Sequence, residues 1–236
     1  MPKDAAPQPD VAPAKASAVG QHPRVLLLFV LVAVVSLVAD LGLKSWSFAN
    51  IADAPLRVEA SDVGPRIYAP VDAGQWSLLP RLDPKHAASA IPAHQPLAAV
   101  PVLLNMELML NEGAVFGMGK GQRWLFIIVS VIATAVILTL LWRSPAKAYG
   151  YQIALALILS GALGNLYDRV RFGAVRDMLH LLPDMRLPFG LNWPGGGDGL
   201  YPWIFNIADV ALVVGVLMVL VISWRNDKQQ PRQSSR

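Results

Sequence analysis

The stretch GNLYDRVRFGAVRDML, residues 164–179, places Asp168, Arg169, Arg171, Arg176 and Asp177 directly behind the apolar run IALALILSGAL. Farther along, FNIAD sets Asn206 and Asp209 three residues apart, which on a helix puts both on one face. A carboxylate inside a membrane span costs about 2.5–3.5 kcal/mol, so Asp209 needs a partner or a wet cavity. Asp177 and Asp209 suit two chemistries: a carboxyl pair that activates water for hydrolysis, or a proton relay in a carrier. Spacing alone leaves both open.

The composition says what kind of chain must position these groups. Hydrophobic residues make up 54% of the 236 residues and charged ones 15%, against about a quarter charged in an ordinary soluble domain. With a mean hydropathy of +0.44, this is an α-helical integral membrane protein with one membrane domain and no room for a second large soluble one. There is no cysteine, which excludes disulfides, thiolate metal sites and a cysteine nucleophile. The four histidines, His22, His86, His94 and His180, show no metal-ligand spacing, and GMGKGQ (117–122) lacks P-loop spacing. No metal and no cofactor are expected. The net charge of +4 reads as orientation charge, not as a nucleic-acid footprint.

Hydropathy predicts four transmembrane helices, about 25–44, 124–142, 149–167 and 204–224, each near the roughly 20 residues that cross the hydrocarbon. Trp46, Trp124, Trp142, Trp203 and Trp224 flank them, as interfacial side chains do. Span 1 has a second reading as a signal peptide, because Val25–Ala39 has the length of a signal core and SLVAD is a weak cleavage site. The long Pro/Ala-rich tail ahead of it, and a helical pattern continuing through Asp40 to Lys44, favour a span. Lys3, Lys15 and Arg24, then Arg143 and Lys147, then Arg225, Lys228, Arg232 and Arg236 put both termini and the 143–148 loop in the cytosol. Residues 1–24 and 225–236 have the composition of disordered tails. Segments 45–123 and 168–203 then form a small extracytoplasmic cap, β-rich or irregular. VPVLLNMELMLNEGAVFG is expected to supply short strands, and LNWPGGGDGLYP a flexible loop.

This topology brings polar residues of three spans to one depth at the outer face. Asp40 and Lys44, one turn apart, fit either a structural ion pair or part of a site. If span 4 begins near residue 204, Asp209 lies about 8 Å into the helix. Gly161 and Gly164 would let a neighbouring helix approach closely, with Asn165 and Arg169 facing the same seam. Asp168 beside Arg169 reads as an interfacial anchor or pair, Arg171 and Arg176 as headgroup contacts, Asp184 and Asp198 as solvated, and Asn111 as a turn residue ahead of Gly113.

Taken together, DLGLKSW (40–46), NEGAVFG (111–117), SGALGNLYDRVRFGAVRDML (160–179) and FNIADVALVVG (205–215), in this order around four spans, resemble the bacterial lipoprotein signal peptidases, the signal peptidase II family of membrane aspartyl peptidases. The resemblance implies that Asp177 and Asp209 are the catalytic aspartates. Asp40, Lys44, Asn111, Gly113, Asn165, Asp168, Arg169 and Asn206 fall on its supporting positions. It implies an endopeptidase of the bacterial cytoplasmic membrane, active at the extracytoplasmic face. Its partners would be lipid-modified prolipoprotein signal peptides, cut before the diacylglyceryl cysteine, together with membrane lipids; a monomer without nucleic acid is expected. Two stretches depart from the family: the segment between Trp46 and Asn111 is some tens of residues longer, and Asp177–Phe205 is expanded around GGG. A small proton-coupled transporter remains the competing reading, although its site would lie near the midplane between repeated halves. A scaffold that kept the fold without activity is a third.

Overall fold

A computed structural model describes residues 22–62, 64–72, 74–81, 87–113, 122–194 and 197–229. Residues 1–21 and 230–236 of the tails, 114–117 of NEGAVFG, His86, and Gly195 and Gly196 of the glycine run lie outside the described residues. Among the described residues, four helices are long and apolar enough to cross a membrane: α1 (Pro23–Asn50), α2 (Arg123–Arg143), α3 (Tyr149–Phe172) and α4 (Ile207–Gln229). Local chemistry sets several of their ends. Pro23 opens α1, where a missing N–H costs nothing. Gly173 closes α3 in the left-handed conformation at φ 81°, its N–H donating to the Arg169 carbonyl.

The helices are not equivalent. The most apolar window of α3 has a hydropathy of 1.3 and is 56% buried, against 2.5–2.8 and 11–17% for the others. α3 is therefore the central helix, covered by its neighbours. Only such a helix can carry Gln152, Ser160, Asn165 and Asp168 buried inside the protein, because polar groups facing lipid would have no partners. Ser160 donates to Ser36 of α1 at 2.8 Å, and Gln152 to the Pro145 carbonyl at 2.7 Å.

The cap consists of two antiparallel sheets. Three strands, β1 (Arg57–Glu59), β2 (Arg66–Asp72) and β3 (Gln75–Leu78), follow in chain order. The second sheet runs β4 (Leu97–Val100), β5 (Leu104–Asn111), β6 (Val175–Leu181) and β7 (Ile204–Phe205). Strand β6 leaves α3 through the Gly173 turn, and β7 returns one residue before α4. In the central pair Asn111 faces Val175 and Met109 faces Asp177. Phe48, Leu56, Val58, Ile67, Leu108 and Leu110 form the core that ties both sheets to the end of α1. On either side of Gly195 and Gly196, Trp193 donates through Nε1 to the Gly199 carbonyl at 2.8 Å, Leu187 N–H donates to Asp198 O at 2.6 Å, and exposed Arg186 pairs with Asp198.

The start of α4 corrects an expectation. Residues 204–205 pair with β6 and Asn206 precedes the helix, so Asp209 stands in the first turn instead of about 8 Å inside.

α3 and α4 meet at glycines. A Cβ on Gly161 would collide with the Ala208 carbonyl oxygen and lie 2.7 Å from Leu212 Cγ, while one on Gly164 would lie 2.5 Å from Asp40 Oδ2. In lipid, where apolar surface gives helices no reason to associate, this approach lets polar groups meet across the seam. Gly161→Ala is accordingly expected to destabilise the protein by about 1–3 kcal/mol through overpacking. Gly42→Ala, with nothing within 4 Å of its Cβ position, should be neutral or slightly stabilising. Thermal unfolding in detergent checks the contrast, and equal effects would show that the seam is not tight.

Candidate active site

Asn206 is the N-cap of α4, and its side chain is fully committed. Its Oδ1 accepts from Asp209 N–H at 3.0 Å, and Asp209 Oδ2 accepts in return from Asn206 N–H at 3.2 Å, which is the reciprocal geometry of a capping box. The amide nitrogen then donates to Asp177 Oδ1 at 2.5 Å and to Asn165 Oδ1 at 3.1 Å. Asn165 accepts on the same oxygen from Lys44 Nζ at 3.2 Å, and its own amide donates to Asp209 Oδ1 at 2.8 Å. Two asparagines thus tie the strand-borne Asp177 to the helix-borne Asp209.

Asn111 completes the hold on Asp177, donating to Oδ2 at 3.2 Å, while its own oxygen accepts from Gly113 N–H at 3.0 Å. It is both the turn residue expected from sequence and a contact of the acid. Arg169 donates to the Gly113 carbonyl at 3.1 Å and lies over the Phe126 ring at 5.0 Å, within electrostatic reach of both acids. Asp177 is buried, whereas Asp209 is partly exposed.

Beneath this cluster lies a buried set of charges. Lys44 Nζ stands 2.8 Å from Asp40 Oδ2 and 3.4 Å from Asp168 Oδ2, and all three side chains are almost wholly inaccessible. Asp40 also reaches across from α1 to accept the Ala208 N–H at 2.9 Å, capping α4 from another helix. Asp168 holds Arg176 twice through Oδ1, at 2.9 and 3.2 Å, and accepts the Arg176 backbone N–H on Oδ2 at 2.9 Å. Two acids and two cations make a neutral set, which limits the penalty of burial.

Asp168 is a pair rather than an anchor, with Arg176 and not Arg169 as its partner, and one expectation fails: Arg176 does not meet headgroups but binds Asp168 inside the protein. The chain reverses at Gly173, and alternation along β6 sends Arg176 back toward α3 while Asp177 faces the asparagines. The eight-residue spacing from Asp168 with a glycine between was the available signal. His180, by contrast, meets Glu107 at 3.3 Å, and among the described residues no group of His, Asp and Glu is placed to hold a metal.

Burial, and then the charge of Asp209, push the Asp177 carboxyl up to about 8, against donors from Asn206 and Asn111 that favour its ionised form. Among the described residues neither acid forms an ion pair; neutral amides hold both.

The model of the family described as signal peptidase (SPase) II matches residues 76–225, well over half the chain. The chain belongs to the signal peptidase II family. A lipoprotein signal peptidase of Lactiplantibacillus plantarum is 37% identical over 143 residues, covering 59% of this chain and 85% of the relative. One from Latilactobacillus sakei is 30% identical over 203 residues, covering 86% and 97%. A solved structure described as a bacterial membrane enzyme, determined by the in meso method at 2.3 Å resolution, shares the fold with a TM-score of 0.53 at 20% identity, covering 91% of this chain and 96% of that one. The four-helix membrane fold with a small sheet cap is thus a signal peptidase II fold, and the chain is a peptidase.

The raised Asp177 carboxyl has a consequence for stability. Its unfolded value is near 3.8, so between about pH 4 and 8 the native state holds a proton that the unfolded chain has released. This group's contribution to stability therefore falls as pH rises through that window and is level above it. The stability of Asp177→Asn relative to wild type, read by thermal unfolding, should rise in the variant's favour from pH 4 to 8 and then plateau. A difference that stays constant across the window would contradict the shift.

Proposed function

We propose that this chain is a lipoprotein signal peptidase: a membrane aspartyl endopeptidase that removes the signal peptide from prolipoproteins, cutting before the diacylglyceryl-modified cysteine. Asp177 and Asp209 are its catalytic acids. The observation that carries the assignment is the double asparagine bridge between two acids, with Asp177 kept readily protonated. Two like charges about 4 Å apart repel by about 4 kcal/mol at a protein-like dielectric, so a close pair of carboxyls keeps one proton between them.

In that state the ionised carboxyl takes a proton from water as the water oxygen bonds to the scissile carbonyl carbon. The protonated carboxyl donates a hydrogen bond to the carbonyl oxygen. Collapse of the tetrahedral adduct breaks the C–N bond, and the leaving amine of the lipidated cysteine takes up a proton from the pair. Burial favours the proton on Asp177, which leaves Asp209 to act on the water. Asp209, partly exposed, admits the nucleophile. Arg169 and Asn111 fix the Asn111–Gly113 turn against Asp177, where a substrate backbone would run.

Charge bias in the loops supports placing both termini in the cytosol and the acids at the extracytoplasmic face of a bacterial cytoplasmic membrane. There the site meets water for hydrolysis and lipid for the substrate's acyl chains; a monomer suffices for this chemistry. The transporter reading has less behind it. The acids gather at one end of the bundle instead of its midplane, and the relatives reported above are lipoprotein signal peptidases.

The test is cleavage of a diacylglyceryl-modified model prolipoprotein. Asp177→Asn and Asp209→Asn should each lose turnover by about 100- to 10,000-fold while remaining folded. Turnover near wild type in either folded variant would remove that residue from the chemistry.

A further inference from the structure

We propose that Arg176 is a positioning residue that sets where Asp177 stands relative to Asp209, a role resting on the catalytic reading of those two acids. Arg176 is fastened at both ends to a single carboxylate. Its backbone N–H donates to Asp168 Oδ2 at 2.9 Å, and its guanidinium donates to Oδ1 at 3.2 Å from Nε and 2.9 Å from Nη2. Only 6% of the side chain is exposed, and its guanidinium carbon stands 4.1 Å from the centre of the Phe172 ring and 5.9 Å from that of Phe48. A buried arginine spanning this gap fixes both the peptide and the direction of the strand one residue before Asp177.

The anchor matters because of where Asp168 sits. It lies three residues beyond Asn165 on the same face of α3, and the Asn165 amide holds Asp209 at 2.8 Å. One helix face therefore locates both acids, Asp209 through Asn165 and Asp177 through the Asp168–Arg176 clamp. Lys44, touching Asn165 Oδ1 at 3.2 Å and Asp168 Oδ2 at 3.4 Å, braces the two attachment points against each other. Without the clamp, Asp177 would keep its contacts to Asn206 and Asn111, but the strand carrying it would lose its fixed distance from α3. Misplacing a reacting group by about 1 Å can cost about 100-fold in rate. That loss belongs to kcat, because Arg176 points away from the face on which substrate meets the acids.

The experiment measures kcat and KM on a diacylglyceryl-modified model prolipoprotein for wild type, Asp177→Asn, Arg176→Lys and Arg176→Met, with thermal unfolding alongside. Lysine keeps the charge but loses the two-pronged fork; methionine keeps the packing between Phe172 and Phe48. Arg176→Lys should lose about 10-fold in kcat and Arg176→Met about 100-fold, with KM within about twofold of wild type. If methionine prevents folding, the lysine variant decides alone. With wild type active and Asp177→Asn inactive, folded Arg176 variants within twofold of wild-type kcat, or a loss confined to KM, overturn the clamp alone. An inactive wild type, or an active Asp177→Asn, overturns the catalytic reading and the clamp with it.

Discussion

A helix that crosses a membrane with Asn165, Asp168 and Arg169 on it cannot show that face to lipid, where unpaired polar groups find no partner. Much of the rest of the structure answers to this constraint. α1 brings Asp40 and Lys44, α4 brings its N-terminus, and β6 folds back at Gly173 to bring Arg176 and Asp177. Gly161 and Gly164 are the complementary concession, removing side chains so that α4 and Asp40 can come close enough to make these bonds. The neutral charge set and the glycine seam are two parts of one solution to keeping a polar surface inside a greasy protein.

The partners chosen for the two acids differ from those chosen for the structural ones. Asp40 and Asp168 sit against cations, which hold them in place. Asp177 and Asp209 are held by asparagines, whose amides orient a carboxyl while supplying no full charge. An acid held that way can gain and lose a proton without collapsing its surroundings. The four aspartates thus divide into two that face cations and two that face amides.

Much of this was legible in the chain. Runs of about 20 apolar residues announce helices whatever they pack against, and asparagine three residues before aspartate in FNIAD announced a shared face. What escaped depended on contacts between distant segments. Nothing in the sequence around Phe205 shows that residues 204–205 pair with β6, which is why Asp209 sits in the first turn and not deeper. Arg176 looks like any arginine near a membrane surface until the Gly173 turn is known to point it back at Asp168. The sheet β1–β2–β3 was hidden because its short strands, with all of β3 exposed, carry little of the alternation that marks a half-buried strand. Hydropathy resolves elements that face lipid, while the polar interior is resolved only by the tertiary fold.

The proposed chemistry requires the two carboxyls to be close enough to govern each other's protonation. A pH titration of ¹³C-carboxyl-labelled aspartate by NMR, comparing wild type with Asp209→Asn, tests it directly. If they are, wild-type Asp177 stays protonated until about pH 8 and titrates at clearly lower pH once the Asp209 charge is gone. An Asp177 that titrates at the same pH in both proteins, or is already ionised at neutral pH in wild type, would contradict it.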